Sequence, residues 1–143
     1  MIKSYNLLLL FLLFSSCLVD DNRLRNEEEI INKKIDNISG EENSQLVLDT
    51  ISGFDWDELL IIGPYIEVDT IENRTNHELH ILPRSTQSFD KLILLGFIDN
   101  KTAIRYMELN RSNFHDSIFI QKGREYRFYP RNKAQLNLLI REY

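Results

Sequence analysis

Residues 92–98, Leu-Ile-Leu-Leu-Gly-Phe-Ile, run into Asp99-Asn100-Lys101 and then into Thr-Ala-Ile-Arg-Tyr-Met-Glu-Leu at 102–109. The first run is apolar at both phases of a two-residue alternation. It therefore predicts a strand that is central in its sheet and covered on both faces. Asp and Asn tolerate left-handed backbone angles, so 99–101 predicts a tight turn. Residues 102–109 mix apolar and polar positions and predict a returning, partly exposed strand. This hairpin places the chain among folds built on an antiparallel sheet.

Working outward, Leu59-Leu60-Ile61-Ile62 predicts a second strand that ends at Gly63-Pro64, because proline has no N–H to give a ladder. Residues 66–73 predict a short helix with Ile66 and Ile71 as its apolar contacts. Leu46-Val47-Leu48 predicts the first strand. On the C-terminal side, 117–121 is a short strand candidate, and Lys122-Gly123 turns. Tyr126 and Phe128 alternate with Glu125 and Arg127, as a half-buried strand requires. A turn follows at 130–133, and Leu136, Leu138 and Ile140 then alternate with polar residues as a last strand. No internal repeat is present. The expectation is an α+β fold: a single small domain with a mainly antiparallel sheet of five or six short strands, joined mostly as sequential hairpins. One or two short helices accompany it, with a helix packed on one face.

Residues 18–45 are polar, with seven charges in the ten positions 20–29. Ile30, Ile31, Ile35 and Ile38 recur at helical spacing, which predicts a weak amphipathic helix over 27–37 inside a solvated tether. Gly40 and Glu41-Glu42-Asn43-Ser44 mark a boundary. The division expected is a leader at 1–16, a tether at 17–44 and a globular domain at 45–143.

The chain has 143 residues and a net charge of −5, enough for one domain. Loss of a leader containing Lys3 leaves 16 basic against 22 acidic residues. That balance argues against a nucleic-acid partner, which needs a basic surface. A single cysteine excludes a disulfide scaffold and a dithiol redox site.

Residues 7–14 read Leu-Leu-Leu-Leu-Phe-Leu-Leu-Phe, behind Lys3 and ahead of Ser15-Ser16-Cys17. A positive start, an apolar centre and small residues at the end are the parts of a secretory signal. Phe14-Ser15-Ser16-Cys17 resembles the lipobox of bacterial lipoproteins, with Phe14 where Leu, Val or Ile is usual. The resemblance implies cleavage before Cys17 and acyl chains on it. Those chains would hold the protein at a membrane of the cell envelope, the outer membrane in a diderm. Each buried CH₂ contributes about 0.8 kcal/mol to such an anchor. An ordinary secretory leader and an uncleaved anchor are the alternatives. Asp20-Asp21 resembles the surface-export signals of some diderm lipoproteins and reads equally as solvated tether.

Among residues that carry chemistry, Phe54-Asp55-Trp56-Asp57-Glu58 stands out. It is followed by four aliphatics and Gly63-Pro64-Tyr65. This segment and the later hairpin resemble a group of short, uncharacterised bacterial lipoproteins and secreted proteins. The resemblance covers residues 45–110 and implies a shared small fold, with no activity attached. As a binding site, Trp56 and Tyr65 would be aromatic anchors of a groove, with Asp55 and Asp57 as polar contacts or acids. As a structural segment, Trp56 would plug the core and the aspartates would cap turns. His77-Glu78-Leu79-His80 is not HExxH, since Ile81 stands four residues after His77, and no second ligand cluster supports a metal. His115-Asp116-Ser117 holds triad residue types without GxSxG or an oxyanion loop. Phosphate-binding loops are absent. Arg124, Arg127, Arg131 and Lys133, interleaved with Tyr126, Phe128 and Tyr129, read as a solvated hairpin edge.

The resulting expectation is a lipid-anchored envelope protein with a non-catalytic binding or structural domain, an envelope protein as its partner, and no metal or organic cofactor. A second hypothesis is an inhibitor or immunity-like protein acting on an envelope enzyme or toxin. A third is a small hydrolase using Asp55, Asp57 or the histidines.

Overall fold

The computed structural model describes residues 22–38, 45–49, 53–84, 91–114 and 126–137. Helix α1 (Arg25–Ile38) comes first, then β1 (Gln45–Val47) and β2 (Glu58–Ile62). Helix α2 (Val68–Thr75), β3 (Leu92–Asp99) and β4 (Thr102–Asn110) follow. A 3₁₀ turn (Arg111–Asn113), β5 (Tyr126–Pro130), a second 3₁₀ turn (Arg131–Lys133) and β6 (Gln135–Asn137) complete it. The molecule is a small single-domain α+β protein with two antiparallel sheets. One has the order β4-β3-β2-β5 and the other pairs β1 with β6.

The predicted hairpin forms as its sequence requires. Ile98 pairs with Ala103 and Asp99 with Thr102, leaving Asn100-Lys101 as a two-residue loop. Both loop residues have positive φ, 47° and 66°. This is the left-handed pair that matches the twist of antiparallel strands. β3 is buried along Ile93 to Ile98 and lies between β2 and β4. β2 stops at Ile62, before Pro64, and is also central, with β3 on one side and β5 on the other.

Alternation along these strands divides the core. Leu59, Ile61, Ile93, Leu95, Phe97, Met107 and Leu109 join Trp56, Phe114 and the facing pair Leu46 and Leu136 on one side. Leu60, Ile62, Leu94 and Ile98 face the other way, against Val68 and Ile71 of α2 and Leu79 and Leu82 beyond it. Each such aliphatic side chain contributes roughly 1.5–3 kcal/mol on burial. Gly96 permits the second layer to close. A Cβ there would stand 3.2 Å from Leu82 Cδ1, tighter than ordinary contact.

Four expectations are corrected. First, the segment read as tether is folded over residues 22–38. α1 is a full helix whose Ile31 and Ile35, one turn apart, are buried in the first core layer. Its two acidic residues in the first turn, Glu27 and Glu28, suit the positive end of the helix dipole. Second, helices cover both faces of the sheet, α1 on one and α2 on the other. Third, only β3–β4 is a sequential hairpin among the described strands, since β5 returns to pair with β2 and β6 with β1. Fourth, α2 begins two residues later than expected, and its buried contacts are Val68 and Ile71, with Ile66 partly buried beside them. Cys17 and the leader, the strand candidate 117–121, the run 115–117, and Leu138 and Ile140 lie outside the described residues.

Candidate functional site

Three of the four proposed binding residues precede β2, at the end of the main sheet where the β3–β4 turn and the end of β5 also lie. Backbone bonds knit this corner together. Asp57 N–H donates to the Ile98 carbonyl at 2.9 Å, and Arg131 N–H donates to the Asp57 carbonyl at 2.8 Å. The Asp57 carboxylate accepts from Asn100 N–H at 3.2 Å, so it holds the hairpin turn. Asp55 projects into solvent, 3.9 Å from the Arg131 guanidinium.

Trp56 does not line a groove. It is 3% exposed and packs edge-on against Phe97 with ring centroids 5.2 Å apart. The Arg131 guanidinium lies over its ring at 5.1 Å and donates to its carbonyl at 3.4 Å. Tyr65 lies beyond the opposite end of β2, 63% exposed, with a left-handed φ of 64°. The five residues of β2 separate the two aromatics by roughly 17 Å of strand. The structure brings Asp55, Trp56 and Asp57 to one corner and leaves Tyr65 out of it.

The sequence reading missed Glu58. Its carboxylate lies 3.2 Å from His77 Nε2, and the His77 ring stacks on Phe128 at 4.4 Å. Nineteen residues separate the pair, and β2 and the segment after α2 meet only because both flank the same sheet end. No spacing rule would expose such a contact. His80 is exposed, next in sequence to the buried Leu79. Glu78 is taken into the sheet edge, where its N–H donates to the Lys101 carbonyl at 2.9 Å and its carbonyl accepts from Ala103 N–H at 2.8 Å. Among the described residues no three His, Cys, Asp or Glu side chains converge as a metal site.

A second cluster ties the N-terminal segment to β4. Asn22 C=O accepts from Tyr106 N–H at 2.9 Å, and Leu24 N–H donates to the Tyr106 carbonyl at 2.8 Å. Arg23 donates through Nε and Nη2 to the two oxygens of Glu28, at 3.0 and 3.2 Å. It also lies 2.7 Å from the Glu108 carboxylate. Glu28 further accepts from Glu108 N–H at 2.8 Å. The Glu28 hydrogen bond holds the Arg23 guanidinium above its ordinary value, against the cost of partial burial. Burial pushes the Glu108 carboxyl up, with Arg23 opposing. This is a clamp made of charge-assisted bonds, the stronger kind of hydrogen bond.

No family model matches the chain, and comparison with curated proteins and with solved structures yields no match either. Among the described residues no helix is long and apolar enough to cross a membrane.

Proposed function

We propose that this chain is an exported lipoprotein, anchored through acyl groups on Cys17, whose α+β domain acts by binding a partner of the cell envelope. The observation that carries this reading is the position of Cys17. It stands directly after an apolar run and two serines, five residues ahead of the point where Asn22 enters the sheet. Among the described residues, the polar side chains of the candidate site and of the N-terminal clamp serve the fold itself. Asp57 holds a turn, Glu58 meets His77, and Arg23, Glu28 and Glu108 bind one another. The hydrolase reading draws no support from this arrangement, because His77 faces Glu58 and not a hydroxyl or thiol nucleophile.

The test is the intact mass and membrane partition of the expressed protein beside Cys17→Ser. The expected wild-type mass is that of residues 17–143 plus acyl chains, with membrane retention lost in the variant. A soluble, unmodified wild-type product would overturn the proposal. So would a variant that stays in the membrane.

A further inference from the structure

We infer that the domain sits against the bilayer that anchors it, with the outer edge of β4 and the first turn of α1 toward the lipid headgroups. The inference rests on the proposed acylation of Cys17 and deepens it. A free tether over 17–44 would let the domain range up to about 90 Å from the membrane. The structure removes most of that reach. Asn22 and Leu24 are bonded to Tyr106, and Arg23 is clamped between Glu28 and Glu108. Only residues 18–21 lie between the acylated cysteine and this fixed point. Five extended residue steps span about 18 Å at most.

A domain of this size has a diameter of about 35 Å. A link half that long holds the point of chain entry no higher above the surface than the domain's own centre. The side where the chain enters therefore lies in the membrane-facing half of the domain, and exposed Arg25 and Asn26 belong to that side. Any partner then meets the domain within about 50 Å of the bilayer. A membrane-embedded or membrane-bound protein fits this range.

The experiment uses the full acylated chain in phospholipid vesicles. A fluorophore is placed on Asn26→Cys, and energy transfer is read to an acceptor-labelled headgroup lipid. A second form carries about 20 Gly/Ser residues between Asp21 and Asn22, adding a mean reach of about 25 Å. Strong transfer without the insert, falling at least two-fold with it, is the expected result. Transfer equally weak with and without the insert would overturn close seating. Equal strong transfer would show that contacts other than the short link hold the surface, and would overturn the inference as well. Ile30→Cys, at a 65% exposed position, supplies a second probe should the first variant misfold. Flotation of wild type and Cys17→Ser, run in parallel, reports on the anchor alone. Wild type that floats while Cys17→Ser does not, together with insert-insensitive transfer, would reject the seating and keep the lipoprotein reading.

Discussion

Trp56 and Asp55 are neighbours in sequence with opposite fates, one in the core and one in solvent. Removing the indole by Trp56→Ala leaves a void against Phe97 and strips the face under Arg131. A loss of about 3–5 kcal/mol is expected, as for other large aromatic truncations. Asp55→Asn should change stability by less than about 0.5 kcal/mol, as most surface substitutions do. Urea unfolding followed by tryptophan-independent circular dichroism checks both, and an unchanged midpoint for Trp56→Ala would contradict the core placement. Glu108 offers a prediction with a sign. Its carboxyl is raised in the fold by burial, so the folded state holds that proton more tightly than the unfolded chain does. The contribution favours folding at low pH and is withdrawn as pH rises from the ordinary value of 4.5 through the raised one. Glu108→Gln should flatten the stability profile in that window, as read from urea midpoints at pH 4 to 7. A profile unchanged by the substitution would show that Arg23 fully offsets the burial.

At the scale of elements, α1 matters most, because it decides where the domain begins. Ile31 and Ile35 are 6% and 2% exposed in the same core layer as Phe97 and Leu109. Ile35→Ala should cost about 2–5 kcal/mol, the range for deleting buried aliphatic groups. A chain starting at residue 45 loses both isoleucines and the Arg23–Glu28–Glu108 clamp together. It should lack the dispersed amide spectrum of a packed core, whereas a chain starting at residue 17 should have it. Folding of the 45–143 fragment with full stability would restore the tether reading. The helix was legible in the isoleucine spacing, and its docking was not. Two apolar side chains among charges look like a solvated stripe until the charges are seen to have partners. One partner of Glu28, the Glu108 N–H, is 80 residues away.

For the whole molecule, the local patterns were sufficient and the long-range pairings were not. The run 92–98 announces a doubly covered strand because both of its phases are apolar, and Asn100-Lys101 announces its turn. Nothing local says that β5 lies beside β2, or that β1 meets β6 across nearly the whole chain. Those pairings are set by which apolar faces can be buried together. The candidate site was legible to a similar extent. Asp55 and Asp57 were read either as polar contacts of a groove or as turn caps, Trp56 had two readings of which burial selects one, and Glu58 was invisible because its partner His77 arrives from another element.

The covered flank of β4 has a consequence for how copies of this chain can join. The N–H groups of Ala103, Tyr106 and Glu108 are taken by Glu78, Asn22 and the Glu28 side chain. Strand addition therefore has no purchase on that side. Open-ended growth by sheet continuation needs two complementary free edges on every unit, since a head-to-tail contact that does not close makes a fibre. With β4 sealed by its own chain, the main sheet offers one free edge at most among the described residues. Among the described strands, sheet continuation through the main sheet can join one other copy and goes no further.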